Sequence, residues 1–108
     1  MMSKAFRDMH YSLIKLFMKN IILSKLSERP LGGYDLIKFF HDKFKVLISP
    51  GTMYSCLYSM ERNNLVETDC KEEKKVYRLT TKGKQSLEEF RKEKQRIMNL
   101  TEKLLMEI

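Results

Sequence analysis

The hydrophobic period of this chain changes only once before its last helix, and that change narrows the folds open to it. Up to Asn64 the apolar residues recur three and four apart, as one face of a helix requires. From Leu65 the pattern alternates instead. LVETDC (65–70) and KVYRL (75–79) read as two strands, rich in β-branched and aromatic residues and joined by the charged tip Lys71-Glu72-Glu73-Lys74. Beyond Thr81 the helical period returns and holds nearly to Ile108. A chain of 108 residues has room for one modest core. The expected class is therefore mainly α with a small β-hairpin.

The helices are legible from their ends. The first spans about 4–27 without Pro or Gly, and its segment 13–23 is apolar on more than one side, wider than a single core stripe needs. In so short a chain the second burial partner is expected to be another copy, with Leu13 and Phe17 in the contact, while Lys15, Lys19 and Lys25 break up the surface and add positive charge. Pro30 stops this helix, and Gly32-Gly33 are expected to supply backbone angles that other residues resist. The second helix covers 34–44, with Leu36, Ile37, Phe40 and Phe44 on its core side and Asp35 near its positive N-terminal end. After a short link (45–48), Ser49 can cap a third helix and Pro50 takes its first position, where a missing N–H costs nothing. Met53, Leu57 and Met60, with Cys56 beside them, make one face of it apolar. Thr52, Ser55, Ser59 and Arg62 form the other, with Tyr54 and Tyr58 along its margins. Asn63-Asn64 closes it, since Asn tolerates the left-handed conformation that ends many helices.

Thr80 or Thr81 caps the last helix. Along it Leu87, Phe90, Lys94, Ile97, Thr101, Leu104 and Ile108 alternate three and four apart, a heptad seam with two polar intrusions. The seam reads as a dimer contact, because the domain ahead of it already looks complete. The competing reading is an amphipathic helix packed on its own domain.

The net charge of +7 favours a polyanionic partner, nucleic acid before an anionic membrane surface. Cys56 and Cys70 lack metal-ligand spacing and read as small, partly buried apolar residues in a reducing compartment. His10 and His41 are isolated, so no metal site is expected. Nothing resembles a nucleophile with its base, a phosphate-binding glycine loop or paired carboxylates, which argues against an enzyme and against a cofactor. No stretch approaches the ~18 apolar residues of a membrane span. The N-terminus lacks the pattern of a signal peptide, so a cytoplasmic location is expected.

Three helices, a hairpin and a fourth helix follow the order of a winged helix-turn-helix domain, whose third helix reads a DNA groove while the hairpin wing reaches phosphates or the adjacent minor groove. On this reading residues 1–83 form the DNA-binding domain and residues 84–108 a dimerisation helix. The hydroxyl-rich face of the third helix suits base edges and phosphates. The expected DNA-binding set there is Thr52, Tyr54, Ser55, Tyr58, Ser59 and Arg62. Lys71, Lys74 and Lys75 are the phosphate candidates of the wing, although a mixed-charge turn without a DNA role is the alternative, given Glu72 and Glu73. Tyr34 and Lys38 are further candidates on the second helix. The dimer set is Leu13, Phe17, Leu87, Phe90, Ile97, Thr101, Leu104 and Ile108.

Four patches also resemble the PadR-like transcriptional regulators. These are ILSKL (22–26) ahead of PLGGY (30–34), SPGTMY (49–54), then Leu57, Met60, Glu61 and Leu65-Val66, and finally YRLTTKG (77–83). The resemblance implies a homodimer built by the first and last helices, and a repressor on a palindromic operator in double-stranded DNA. The short tail resembles the family's smaller subtype. Asn64 stands where members usually have Gly, and Ser55, Tyr58 and Ser59 where they often carry proline and basic residues. Some small members bind flat aromatic drugs through a tryptophan that this chain lacks, and a small-molecule effector stays an open partner. The function from a different class is a winged-helix protein-interaction module without DNA binding.

Overall fold

A computed structural model describes residues 2–108, the side chain of Lys71 excepted. The elements run α1 (Lys4–Glu28), α2 (Gly33–Phe44), α3 (Pro50–Arg62), β1 (Val66–Lys71), β2 (Lys74–Leu79) and α4 (Thr81–Met106). Each helix begins where the sequence supplies a partner for orphan N–H groups. Ser3 accepts from the Phe6 N–H, Ser49 from the Thr52 N–H at 3.1 Å and Thr80 from the Gly83 N–H at 3.0 Å. At the start of α2 the Asp35 carboxylate accepts from the Gly32 N–H at 2.9 Å. The third helix closes as expected. Asn64 takes a left-handed φ of 60°, its N–H reaches the Glu61 carbonyl, and the Leu65 N–H reaches that of Met60.

The core gathers one stripe from every element. Ile22 and Leu23 of α1, Leu36 and Phe40 of α2, Met53, Leu57 and Met60 of α3, and Val66 and Tyr77 of the hairpin are buried, with Ile48 closing the link before α3. Ile37 and Phe44 sit at its margin, only half-buried. Leu87 adds the first turns of α4, and beyond them Phe17 of α1 meets Phe90 edge-on at 6.3 Å.

Three local expectations need correction. Neither Gly32 nor Gly33 uses a positive φ. The demand at Gly33 is space: a Cβ there would lie 2.5 Å from Tyr54 Cζ, so the bare backbone lets the α3 ring lie against the start of α2. The hairpin tip is shorter than four residues. Lys71 and Lys74 pair across the ladder, leaving Glu72 and Glu73 as a two-residue turn with φ of 53° and 63°. Such a turn matches the twist of the strands but needs positive φ at both positions. Strand register therefore imposes on two glutamates a conformation that costs about 1 kcal/mol or more each. Cys70, finally, is exposed on this hairpin rather than partly buried.

The segment before α2 also joins the wing. Leu31 and Tyr77 exchange backbone hydrogen bonds of 3.1 and 2.8 Å, a single antiparallel bridge against β2. Tyr77 is buried, and among the described residues its hydroxyl makes no close hydrogen bond, the Lys75 ammonium acting on it from nearby. A buried unpaired hydroxyl costs ~1–3 kcal/mol. Tyr77→Phe should therefore leave stability unchanged or raise it by about 1 kcal/mol in urea unfolding. A clear loss would reveal a bond the hydroxyl makes.

Candidate nucleic-acid interface

With Met53, Leu57 and Met60 buried, α3 turns Ser55, Tyr58 and Arg62 outward. At about 100° per residue, its other polar side chains fall on two flanks. On one, Tyr54 and Tyr58 face the wing and α2. Tyr34 meets Tyr54 edge-on at 6.1 Å, Tyr54 lies 6.5 Å from Tyr58, and the Lys75 ammonium stands 5.4 Å from the Tyr58 ring and 5.5 Å from that of Tyr77. Tyr77 first, then Tyr58 and Glu61, push the Lys75 pKa above the ordinary lysine value. On the other flank Thr52, Ser55, Cys56 and Ser59 form one wall of an open groove of about 650 Å³ whose opposite wall is α1.

The expected DNA-binding set is thus brought together in part. Tyr34, Tyr54, Tyr58 and Lys75 form one continuous row, beside which Ser55 and Arg62 stand exposed. Thr52 and Ser59 are half-buried, and Thr52 is engaged by the Ser49 hydroxyl at 3.0 Å. Two lysines are already occupied. Lys38 contacts Asp42 at 2.6 Å, which raises the lysine pKa and lowers that of the aspartate. Lys74 lies 3.8 Å from Asp35, the residue that caps α2. The Lys71 side chain lies outside the described residues. The spacing of α3 foretold which side would be apolar, but not that Lys15 and Lys19 of α1 line the groove beside it. Their own spacing of four residues, next to the buried Met18, puts both on one face of α1, but nothing local sets that face beside α3.

The expected dimer residues divide as well. Leu87 is buried within its own chain, while Phe17, Phe90 and Ile97 are half-buried along an apolar groove of about 370 Å³ between α1 and α4, rimmed by Arg91 and Lys94. Leu13, Thr101, Leu104 and Ile108 are exposed. Thr101 satisfies its hydroxyl on the Ile97 carbonyl of the same helix at 2.8 Å. Among the described residues no three His, Cys, Asp or Glu side chains gather as metal ligands, and no helix is long and apolar enough to cross a membrane.

A three-helix unit with a two-stranded wing, its third helix turned outward, is the winged helix-turn-helix class of transcriptional regulators. The sequence profile described as the Transcriptional regulator PadR-like family matches residues 22–89, and the chain belongs to that family. Its members are transcriptional regulators, not enzymes. Among solved structures it is similar to a PadR family transcription regulator from Clostridium difficile, with 28% identity, a TM-score of 0.75 and coverage of 82% of this chain and 98% of that one. A PadR-like transcriptional regulator from Bacillus cereus shares 28% identity at a TM-score of 0.74, covering 87% and 96% of the two chains. PadR of Bacillus subtilis, solved in complex with operator DNA, matches at 28% identity and a TM-score of 0.59 over 68% of this chain and 46% of that longer one. No curated protein sequence matches the chain.

Proposed function

We propose that the chain is a sequence-specific DNA-binding repressor that acts as a homodimer on a palindromic operator. The observation that carries this reading is the outward face of α3, where Ser55, Tyr58 and Arg62 stand exposed between two flanks that both end in lysines. Hydroxyls and a guanidinium on such a face suit base edges, one good bidentate pairing being worth ~1–3 kcal/mol of discrimination. Thr52, in the first turn of α3, would meet phosphate where the positive end of the helix dipole favours an anion. Lys75 would bring the wing to the backbone, and Tyr34 would add a hydroxyl from α2. The operator complex of the Bacillus subtilis relative supports the choice of partner.

What the single chain leaves uncovered supports the homodimer. Leu13, Leu16, Leu104, Leu105 and Ile108 are exposed on α1 and the free end of α4, an apolar surface that a second copy would bury. Residues 1–83 would then serve DNA and residues 84–108 the pairing. A twofold axis would set the two α3 helices in successive major grooves, about 34 Å apart. Protein of this kind works in the compartment that holds the DNA, which in a bacterial cell is the cytoplasm.

The test is footprinting on the DNA upstream of the gene, with affinities measured at two salt concentrations. The expected result is protection of an inverted repeat and a slope of log affinity on log salt of ~0.9 for each phosphate neutralised. Binding no better than to random DNA, or indifferent to salt, would instead favour a winged-helix module for a protein partner.

A further inference from the structure

We infer that Lys15 and Lys19 of α1 hold the phosphate strand on the side of the major groove opposite the wing. The inference rests on the reading that α3 enters that groove. A helix with its side chains is about 10–12 Å across and the major groove about 12 Å wide, so a seated helix meets the phosphates of both strands. Lys75, against Tyr58, serves one flank of α3. The other flank, Thr52, Cys56 and Ser59, has no charge of its own.

The charge comes from across the groove. Lys15 and Lys19, one helical turn apart on α1, face that flank, and the groove is lined by these two lysines, Met18, Met60 and small or hydroxylic residues, with no carboxylate among them. Lys19 is near enough to α3 to oppose, electrostatically, the rise that burial imposes on the Cys56 thiol pKa. Both lysines are exposed, and among the described residues neither has an acidic partner within 4 Å, whereas Lys38 and Lys74 do. Lys15 stands 5.5 Å over the Tyr11 ring, a contact that orients the ammonium without neutralising it. The groove is open to solvent, as contact with a sugar-phosphate strand requires. So α3 can carry an almost uncharged reading face, because its cations are supplied from α1 on one side and from β2 on the other.

The experiment compares wild type, Lys15→Ala/Lys19→Ala and Lys15→Arg/Lys19→Arg by fluorescence anisotropy, on the protected fragment and on random duplex, over a salt series. For the alanine pair, the slope of log affinity on log salt should fall by about 1.8 per protomer, ~0.9 for each lost phosphate contact. Affinity for the two duplexes should fall alike, because phosphate contacts carry no sequence information. The arginine pair should keep the wild-type slope, and the melting temperatures should agree. A wild-type slope in the alanine pair would overturn the inference while leaving DNA binding intact. So would a collapse of discrimination at unchanged slope, which would mean that the lysines shape α3 instead. Wild-type protein that binds neither duplex would remove the underlying reading, and the inference with it.

Discussion

Gly83→Ala should be the most destabilising single-methyl addition in this protein, by about 3 kcal/mol. Gly83 is the third residue of α4, at the point where that helix starts across the end of α3. A Cβ there would overlap the Leu65 carbonyl oxygen and also press within 3.2 Å of Leu79. The carbonyl cannot turn away, because it accepts the Thr80 N–H at 3.1 Å. The same corner is tied by the Thr80 hydroxyl to the Asn64 carbonyl at 2.5 Å and by the Lys82 ammonium to that of Asn63 at 2.9 Å. Relief would require α4 to tilt, which would draw Leu87 from the core and part Phe90 from Phe17. A melting temperature about 10–20 °C lower is expected, at several degrees per kcal/mol for a domain of this size. Gly51→Ala is the internal control. Its Cβ would meet only Ser49 Oγ at 4.0 Å, and alanine in a helix is favoured over glycine by up to ~1 kcal/mol. If Gly83→Ala melted with the wild type, α4 would not cross Leu65 as described.

Ser55→Asp should have the largest effect on function, a loss of at least about 100-fold in DNA affinity with the fold intact. Ser55 is exposed at the centre of the outward face of α3, so a carboxylate there costs the free protein little. In a major groove it would face bases ringed by phosphate charge, and like-charge juxtaposition across an interface costs several kcal/mol, with tenfold in affinity for every ~1.4 kcal/mol. Ser55→Asn adds similar bulk without charge and should retain most of the affinity. Anisotropy on the protected fragment, beside thermal melts of both variants, makes the comparison. Undiminished binding by the aspartate variant would show that α3 is not the element inserted into DNA.

The residues that govern these two effects differ in how far the chain alone announced them. Ser55 and its neighbours on α3 were legible because their periodicity is internal to one helix: Met53, Leu57 and Met60 define a buried side and leave a polar one. Gly83 stood in the motif that resembles the family, but its reason, a backbone crossing at Leu65, lies 18 residues away and follows from the path of α4. The glycine pair at 32–33 shows the same limit. Its place in a turn could be read, while its actual service, room for the Tyr54 ring, depends on how α2 and α3 cross.

Local chemistry is therefore written directly in the chain. Caps at Ser49 and Thr80, the left-handed Asn64 and the alternation of β1 and β2 involve groups within a few residues of one another, so the order of helices and hairpin is written in the chain. Tertiary structure alone decided which charges remain available and where they stand. Lys38 is held by Asp42 and Lys74 lies near Asp35, while Lys15 and Lys19, four residues apart on a different helix, come to border Thr52 and Ser59. The physical reason is that a side chain's partner across the fold is set by the angles at which whole helices pack, and those angles depend on the shapes of all the buried residues together rather than on any short stretch of sequence.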